Sequence, residues 1–369
     1  MTEVVFYVSG HGYGHAVRIV EVIRSLREVD SCFRVCIRTS VPKEFFSAQS
    51  AGSENVQHAY LDSGVVEENQ TLFVDSRATV ERLASFLRQR EHIIGSEVDF
   101  LQHEQPILVV ADIPYLAGDL ADVIGVPCIG IGNFTWDWIY EPYLQYHEES
   151  ERLLECIRQG YSKMHTYLRL PFSHDVSVFR HVSDVPLITR RSQRPHEEVL
   201  RRLGADPRDS RTRVMIGMRG NISIPALAAA AKHAKDFLFL CLGVGSRDLP
   251  RNARHVVLGP DLSFPDVLSV CDIVVSKLGY GILADSIACQ TGILFPPRTG
   301  FREDGILRAS ACRYVKASEI PLPRFLAGDW LEHLRRLRDS PAPLETMETN
   351  GAQVCAEIIA EHLATSGRR

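Results

Sequence analysis

The sequence lacks the features that mark membrane-spanning and nucleic-acid-binding chains. Its longest apolar runs, such as 237–245 and 107–111, are far too short to cross a bilayer. The 41 Lys and Arg residues are outnumbered by 46 Asp and Glu residues, and the net charge of −5 leaves no broad basic field. We therefore expect neither a membrane span nor a nucleic-acid partner.

Cysteine pairs and phosphate-loop motifs are missing as well. The 9 cysteines form no Cys-x-x-Cys pair and mostly lie in apolar runs, which indicates buried thiols in a reducing compartment. His11 and His15 have i,i+4 spacing, but no cysteine or carboxylate lies near enough in sequence to complete a metal site. No Gly-x-x-x-x-Gly-Lys-Ser/Thr segment occurs, so nothing supports a kinase activity. The N-terminus carries no basic and apolar leader, so we expect a cytoplasmic protein that holds no metal or cofactor.

What is present is an alternation of strand-like and helix-like segments along 369 residues, a length that favours two domains. In the first half the pattern predicts strands at 3–8, 33–38, 107–111 and 127–131, and helices at 14–28, 77–102 and 115–125. In the second half it predicts strands at 213–217, 237–242, 254–258, 272–275 and 292–295, and helices at 224–233, 263–270, 280–289 and 304–312. Repeated βα units of this kind predict an α/β fold with two parallel sheets covered by helices.

The composition also predicts where the domains divide. Residues 1–170 form one α/β domain and residues 213–345 a second one. The segment 171–212 is rich in Pro, Ser, Arg and Asp and is expected to connect them through a short helix at 196–204. Residues 346–369 carry a helical pattern. Open parallel sheets bind ligands at the carboxyl ends of their strands, so we expect the site between the two domains.

The segment from Ser9 to His15 is the first candidate for that site. It joins a predicted strand to a predicted helix through Gly10, Gly12 and Gly14. Glycines let backbone N–H groups approach a ligand, and a histidine at the start of the helix can exchange a proton near pH 7. The alternative is a plain strand-to-helix turn with two surface histidines.

Two further candidates follow predicted strands of the first half. Asp112 either caps the helix at 115–125 or lies beside His15, where a carboxylate would orient the imidazole. Asn133, Trp136 and Asp137 follow the strand at 127–131. The aromatic rings there either form a platform for an acceptor or pack in the core.

The second half offers three such loops. Arg219 and Gly220 follow its first strand, and an arginine between glycines can meet a phosphate or simply be exposed. The segment from Ser276 through Lys277 to Asp285 repeats the strand, glycine turn and helix, with Asp285 either on a ribose or on a polar face. Glu303 and Asp304 lie in the loop after the last strand, where their carboxylates either bond a sugar or favour the helix that follows.

Together these residues resemble the GT-B glycosyltransferases, with two Rossmann-like doubly wound domains facing across a cleft. The nearest likeness is the glycosyltransferase-like N-terminal region of L-arabinokinases, whose Gly-His-Gly-aromatic-Gly-His-Ala-x-Arg motif matches 10–18. Its Asn-Phe-x-Trp-Asp motif matches 133–137, and its Ser-Lys-x-Gly-Tyr-Gly motif matches 276–281. The second half is also similar to the peptidoglycan N-acetylglucosaminyltransferase.

The resemblance implies a nucleotide-diphospho-sugar donor bound mainly by the second domain, and a final helix that crosses back to the first domain. It places His15 as the catalytic base and Asp285 where relatives carry a ribose-binding glutamate, one methylene longer. The implied donor-binding residues are Gly12, Gly14, Arg219, Gly220, Ser263, Phe264, Ser276, Lys277, Gly279, Tyr280, Gly281, Asp285, Glu303 and Asp304. The implied acceptor-binding residues are His11, Asn133, Trp136 and Asp137.

The resulting hypothesis is a glycosyltransferase that uses a UDP-linked sugar, inverts the anomeric centre and needs no metal. The chain has no Asp-x-Asp triplet of the kind that holds a divalent ion in transferases of the other major fold. The acceptor is a small molecule or a lipid-linked one, and contact with a membrane surface stays open. The alternatives are a nucleotide-sugar hydrolase or 2-epimerase of the same fold, and a non-catalytic nucleotide-sugar-binding module.

Overall fold

The computed structural model describes residues 3–31, 33–48, 55–68, 72–145, 147–217, 224–243 and 249–366. Two separate parallel sheets organise these residues, one of seven strands and one of six. Helices connect most pairs of successive strands, because in a parallel sheet the chain must return to the same end of the sheet before the next strand begins. The predicted α/β class is therefore confirmed.

The first sheet has the strand order β3-β2-β1-β4-β5-β6-β7. Its strands are β1 (Val4–Val8), β2 (Val35–Thr39), β3 (Asn55–His58), β4 (Leu108–Asp112), β5 (Cys128–Gly132), β6 (Thr166–Arg169) and β7 (Val182–Asp184). The four strands predicted from the pattern are confirmed within two residues. The three missed strands are short and lie toward the edges of the sheet, where partial exposure weakens the apolar signal.

The helices of the first half are α1 (Gly14–Val29), α2 (Lys43–Ala48), α3 (Ser76–Arg88), α4 (Arg90–Glu104), α5 (Leu116–Ile124), α6 (Trp136–Leu144) and α7 (Ser150–Ser162). The single helix predicted at 77–102 is wrong, because the chain breaks between α3 and α4 at Gln89. Asp75 caps α3 by accepting a hydrogen bond from the Ala78 amide.

The second sheet has the order β10-β9-β8-β11-β12-β13. Its strands are β8 (Thr212–Ile216), β9 (Phe237–Leu242), β10 (Ala253–Val256), β11 (Ile273–Val275), β12 (Gly292–Phe295) and β13 (Ala317–Glu319). The remaining helices are α8 (His196–Arg202), α9 (Ile224–Ala231), α10 (Phe264–Ser269), α11 (Tyr280–Cys289), α12 (Asp304–Tyr314), α13 (Leu322–Ala327), α14 (Leu331–Asp339) and α15 (Gly351–Ser366). Only β13, α13 and α14 were missed here.

Each sheet is buried on both faces, which makes its central strands continuously apolar. The last helix, α15, packs against the first sheet, because its residues Ala356 and Ile359 lie in the same buried cluster as Ile19 and Ile23 of α1. The first sheet also reaches into the segment predicted as a connection, since β7 pairs with β6. No helix among the described residues is both long enough and apolar enough to span a membrane.

Candidate functional site

The carboxyl edge of the first sheet brings together residues about a hundred positions apart in the chain. Val8 at the end of β1 is in register with Asp112 at the end of β4. His15 lies in the first turn of α1, and its Nδ1 is 2.8 Å from Oδ1 of Asp112, which is fully buried. The helix α5 begins only at Leu116, and Asp112 does not cap it. The structure therefore supports the alternative that placed Asp112 beside His15.

Arg18 completes this cluster from the next turn of α1. Its Nε donates to Oδ2 of Asp112 at 2.7 Å and its Nη2 donates to Oδ1 at 2.5 Å. Its Nη1 donates to the side-chain oxygen of Asn133, whose amide nitrogen donates to the Pro171 carbonyl at 2.7 Å. Asn133, predicted to bind an acceptor, thus holds the guanidinium in place.

The electrostatic balance in this cluster keeps Asp112 ionised. Burial raises the pKa of its carboxyl, but the charges of Arg18 and His15 and the hydrogen bonds from both outweigh burial and set the pKa below its ordinary value. An ionised Asp112 accepts the Nδ1 proton of His15. Nε2 is therefore the ring atom left to exchange a proton with a substrate, and it bonds to no residue that the structure describes.

A second buried carboxyl, Asp62, lies in the same region on the loop after β3. Its Oδ2 accepts a hydrogen bond from Nε1 of Trp136 at 3.0 Å. Burial raises the pKa of Asp62, and the hydrogen bonds from Ser9 and Trp136 and the charge of His15 oppose that rise. Asp62 therefore gives up its proton more readily when His15 is protonated.

His11 closes this side of the site as a neutral ring. Burial and the positive charges of His15, Arg298 and Lys277 lower the pKa of His11 from 6.5 to about 3. Gly64 packs directly against it in a left-handed conformation (φ +61°), and a Cβ there would lie 2.5 Å from Nδ1 of His11. His11 is therefore uncharged at neutral pH and held by tight packing.

The tryptophans of the predicted acceptor platform are packing residues. Trp136 is 1% exposed and stacks on Tyr140 with 5.3 Å between ring centroids, so its ring has no open face. Trp138 stacks on His174 at 4.4 Å, with Arg302 over the ring at 4.7 Å. Both rings therefore pack on protein side chains, as the packing alternative expects, and an acceptor contact at Trp136 stays a prediction.

Asp137 follows Trp136 in the first turn of α6. Its Oδ2 accepts a 3.4 Å hydrogen bond from Arg158, and its buried Oδ1 has no partner among the described residues. Its contact with an acceptor stays a prediction.

The second sheet presents its own glycine turn to this region. Ser276 is buried after β11, Lys277 lies 3.7 Å from Glu67 of the first half, and Gly279 precedes α11. A Cβ at Gly279 or Gly281 would meet no atom within 4 Å, so the backbone of this turn is open on that side. The predicted strand, turn and helix are confirmed, and donor binding by them stays a prediction.

Aromatic rings connect this turn to the His15 cluster. Tyr280 stacks on Phe134 of the first half with 5.9 Å between centroids, and Phe134 meets His15 edge-on at 5.8 Å. The Tyr280 hydroxyl is buried and has no hydrogen-bond partner among the described residues. The predicted donor turn and the predicted base are therefore separated by one phenyl ring.

The loop after β12 makes a second bridge between the halves. Thr299 pairs with Phe73 as an isolated β-bridge, and Tyr143 donates to the Gly300 carbonyl at 2.5 Å. Arg302 donates to the Trp138 carbonyl and, at 2.6 Å, to Glu141. The carboxyl edges of the two sheets therefore meet, as the parallel-sheet rule predicts.

Glu303 and Asp304 lie at the start of α12. Oε1 of Glu303 accepts a 3.2 Å hydrogen bond from Arg298, whose guanidinium carbon lies 3.4 Å from the centroid of the Phe301 ring. Burial raises the pKa of Asp304, and its Oδ1 has no partner among the described residues. Sugar binding by these two carboxyls stays a prediction.

The residues predicted to hold the nucleoside gather around Arg190. Both oxygens of Asp285 accept hydrogen bonds from Arg190, at 2.9 Å from its amide and 2.8 Å from Nε. The guanidinium carbon lies 4.6 Å from the centroid of the Phe264 ring, and Ser263 caps α10 in a reciprocal bond with Asp266. Asp285 is therefore engaged by the protein itself, and a ribose contact would share or replace that bond.

Arg219 and Gly220 lie outside the described residues, as do 244–248 of the second-half turn after β9. Gly12 and Gly14 are described. Gly12 adopts a left-handed conformation (φ +78°), and a Cβ at either glycine would meet no atom within 4 Å. Within the described ranges no three His, Cys, Asp or Glu side chains converge as a metal site would require.

Four functional candidates were missed from the sequence: Arg18, Asp62, Arg190 and Arg298. For Arg18 a signal existed, because it lies three residues after His15 and so on the same helix face. Asp62 and Arg190 lie in loops with no periodicity. Their partners are 74 and 95 positions away, and nothing in the local sequence marks them.

Known proteins are similar to this chain in sequence and in structure. No known family model matches the chain. L-arabinokinase of Arabidopsis thaliana is 29% identical over 361 residues, which cover 96% of this chain and 34% of that protein. The chain thus spans about a third of the length of the curated relative that it matches.

Solved structures of glycosyltransferases are similar over nearly the whole chain. The calicheamicin glycosyltransferase CalG4 has a TM-score of 0.63 at 15% identity, covering 99% of this chain and 95% of its own. VinC in complex with dTDP scores 0.58 at 16% identity, with 98% and 95% covered. The spinosyn rhamnosyltransferase SpnG complexed with thymidine diphosphate scores 0.61 at 14% identity, with 99% and 96% covered. The fold is GT-B, with two Rossmann-like α/β domains.

Proposed function

We propose that this chain transfers a sugar from a nucleotide-diphospho-sugar to a hydroxyl or amine of an acceptor, with His15 as the general base. The observation that carries the proposal is the 2.8 Å contact of His15 with buried Asp112 at the meeting edges of two GT-B sheets. Ionised Asp112 leaves Nε2 as the basic atom, which is the arrangement that a general base needs.

The reaction follows from this arrangement. Nε2 of His15 takes the proton of the acceptor while the acceptor oxygen or nitrogen bonds to the anomeric carbon. The bond from that carbon to the diphosphate breaks on the opposite side, which inverts the centre, and the nucleoside diphosphate leaves. The open turn before α11 and the nearby Lys277 and Arg298 would neutralise the leaving group without a metal ion.

The thymidine diphosphate named for two structural neighbours widens the choice of donor beyond uridine. Thermal-shift measurements with UDP, TDP, ADP and the matching monophosphates test donor binding directly. A ligand at a hundred times its Kd stabilises the folded state by about 2.7 kcal/mol. Stabilisation by a diphosphate and not by its monophosphate is expected, and no shift with any nucleotide contradicts the proposal.

Turnover is then measured with the sugar conjugates of the nucleotide that binds. Loss of donor only when an acceptor is supplied indicates transfer. Equal loss without an acceptor would instead indicate the hydrolase or epimerase, and tight binding with no loss at all would indicate a binding module.

A further inference from the structure

Arg18 lies beside the proposed base, and no step of the mechanism has so far used it. Its side chain is 12% exposed and comes from the same helix, α1, as His15. Nε donates to Oδ2 of Asp112 at 2.7 Å, and Nη2 donates to Oδ1 at 2.5 Å. Nη1 donates to the side-chain oxygen of Asn133, so the guanidinium is held through all three of its nitrogens.

Arg18 and His15 bind the same oxygen of Asp112. Nδ1 of His15 is 2.8 Å from Oδ1, Nη2 of Arg18 is 2.5 Å from that oxygen, and the two nitrogens are 3.3 Å apart. Both nitrogens carry hydrogen when Asp112 is ionised, so they are two donors that converge on one acceptor. The carboxylate that orients His15 is therefore already paired with a guanidinium in a two-point ion pair.

Arg18 keeps its charge in this buried position. Burial would lower its pKa, but the charge of Asp112 and the hydrogen bond between the two groups raise that pKa above its ordinary value. Four other titratable groups face Arg18 or His15 from separate elements: Asp62 after β3, His11 in the glycine turn, Tyr167 of β6 and Cys355 of α15. Burial raises the pKa of Tyr167, and raises the pKa of Cys355 to about 12, so both are neutral. Asp112 and Arg18 contact Nδ1 of His15 directly.

This contact matters because a base must release the proton that it takes. A carboxylate beside an imidazole favours the protonated ring, whereas a guanidinium beside it disfavours that form. A general base works best when its pKa lies near the operating pH. Without Arg18, the unpaired charge of Asp112 would hold a proton on His15 before the acceptor arrives.

We propose that Arg18 is a positioning residue that limits the proton affinity of His15. By pairing with both oxygens of Asp112, it lets the carboxylate orient the ring without trapping a proton on it. The inference rests on the proposed role of His15 as base. It divides two tasks between two side chains: Asp112 sets the tautomer, and Arg18 sets how readily the ring gives up its proton.

The test needs neither donor nor acceptor, because the proton equilibrium of His15 is measured in the protein alone. The ring resonance of His15 is assigned by its loss in His15→Gln and is followed by NMR from pH 4 to 10. Arg18→Met keeps the apolar stem and removes the charge. We expect the titration midpoint of His15 to rise by about one to two pH units.

Arg18→Lys separates the charge from the packing. It keeps a positive charge but loses the planar fork, so its His15 midpoint should stay closer to that of the wild type than the midpoint of Arg18→Met does. A rise of equal size in both variants would show that packing, and not charge, sets the midpoint, and it overturns the inference.

The matched control is Arg24→Met, the same change on the same helix, where Arg24 is 44% exposed and pairs with Glu21. Its His15 midpoint should equal that of the wild type. A midpoint in Arg18→Met that stays within about 0.2 pH units of the wild type, or falls, overturns the inference.

A measurement on the wild type covers the case in which Arg18→Met does not fold. Because Arg18 and His15 share Oδ1 of Asp112, protonation of the ring must alter the ion pair that Arg18 makes. The ¹⁵N resonance of Arg18 Nε should therefore shift at the pH where His15 titrates. A resonance that stays constant through that pH overturns the inference.

The pH profile of donor turnover separates this inference from the proposed function. In an active enzyme, the acidic limb of the profile should move to higher pH in Arg18→Met together with the His15 midpoint. A raised midpoint with an inactive wild type would leave the effect of Arg18 on His15 intact and reject the proposed function. An active wild type whose midpoint does not rise in Arg18→Met would reject the inference alone.

Discussion

The carboxyl edges of the two sheets differ in how far the protein satisfies its own polar groups. At the edge of the first sheet, Asp112 and Asp62 are both buried and hydrogen-bonded by neighbouring side chains. At the edge of the second, Tyr280 and Asp304 each bury a polar atom that has no partner among the described residues. The charged groups around His15 are paired by the protein itself, whereas Tyr280 and Asp304, like Asp137 on the first edge, each keep a buried polar atom that a ligand would pair.

This difference between the two edges corresponds to the different roles proposed for them. A base must be held in one tautomer and orientation before the substrate arrives, so its partners are built into the protein. A donor site is completed by the donor, and buried groups left unpaired without it give specificity for it. Asp285 is the exception on the second edge, since Arg190 already occupies both of its oxygens.

The largest effect is expected from the substitution His15→Ala. Removing the base should lower donor turnover by about a hundred- to ten-thousand-fold, because proton transfer of this kind contributes that much. The thermal shift with nucleoside diphosphate should not change, since the proposed donor turn before α11 lies on the other edge. His103→Ala is the control, as that side chain is 87% exposed. Unaltered turnover would remove His15 from the mechanism.

The next effect is on stability and concerns Arg18. Arg18→Met keeps the apolar stem but leaves the Asp112 charge with less compensation, which should cost about 3–5 kcal/mol of unfolding free energy in urea denaturation. Arg24→Met changes the same helix, where Arg24 is 44% exposed and pairs with Glu21, and should cost less than about 1 kcal/mol. Equal losses of unfolding free energy in the two variants would show that the buried ion pair of Arg18 and Asp112 does not stabilise this edge of the sheet more than a surface pair does.

Variants of Arg190 and Asp285 test whether the ion pair between these two residues stabilises the second edge without a ligand. Arg190→Met and Asp285→Asn break the same buried bond, so each should lower unfolding free energy by about 3 kcal/mol. We expect the Kd for the nucleotide to change equally in both. A Kd at least about tenfold weaker in Asp285→Asn alone, a difference of about 1.4 kcal/mol, would show a direct ribose contact.

The smallest expected effect, over the measured range of pH 6.5 to 5, is the pH dependence of stability from His11. Its pKa in the folded chain, about 3, lies below the ordinary value of 6.5, so the unfolded chain binds the proton first. Stability is therefore complete above pH 6.5 and falls as the pH drops toward 3, by up to about 1.4 kcal/mol per pH unit. Urea midpoints of His11→Gln should lack this slope between pH 6.5 and 5, whereas exposed His103→Gln should keep it.

Most of the fold was predictable because buried parallel strands are continuously apolar and glycine turns mark their ends. The strands β1, β4 and β9 were placed within a residue or exactly on their bounds. The half-exposed strand β3 and the proline-containing α6 were missed, since neither carries a clean period. The helix predicted across Gln89 failed because α3 and α4 are both helical in pattern and only their packing separates them.

The sequence by itself determined the alternation of strands and helices, the glycine turns, and hence the edges at which chemistry can occur. Only the tertiary structure decided which charges meet: that Arg18 takes both oxygens of Asp112, that Asp62 joins Trp136, and that Arg190 occupies Asp285. The reason is physical. Local patterns reflect backbone geometry and burial, whereas an ion pair depends on distances of a few ångströms between residues that the fold brings together from far apart in the chain.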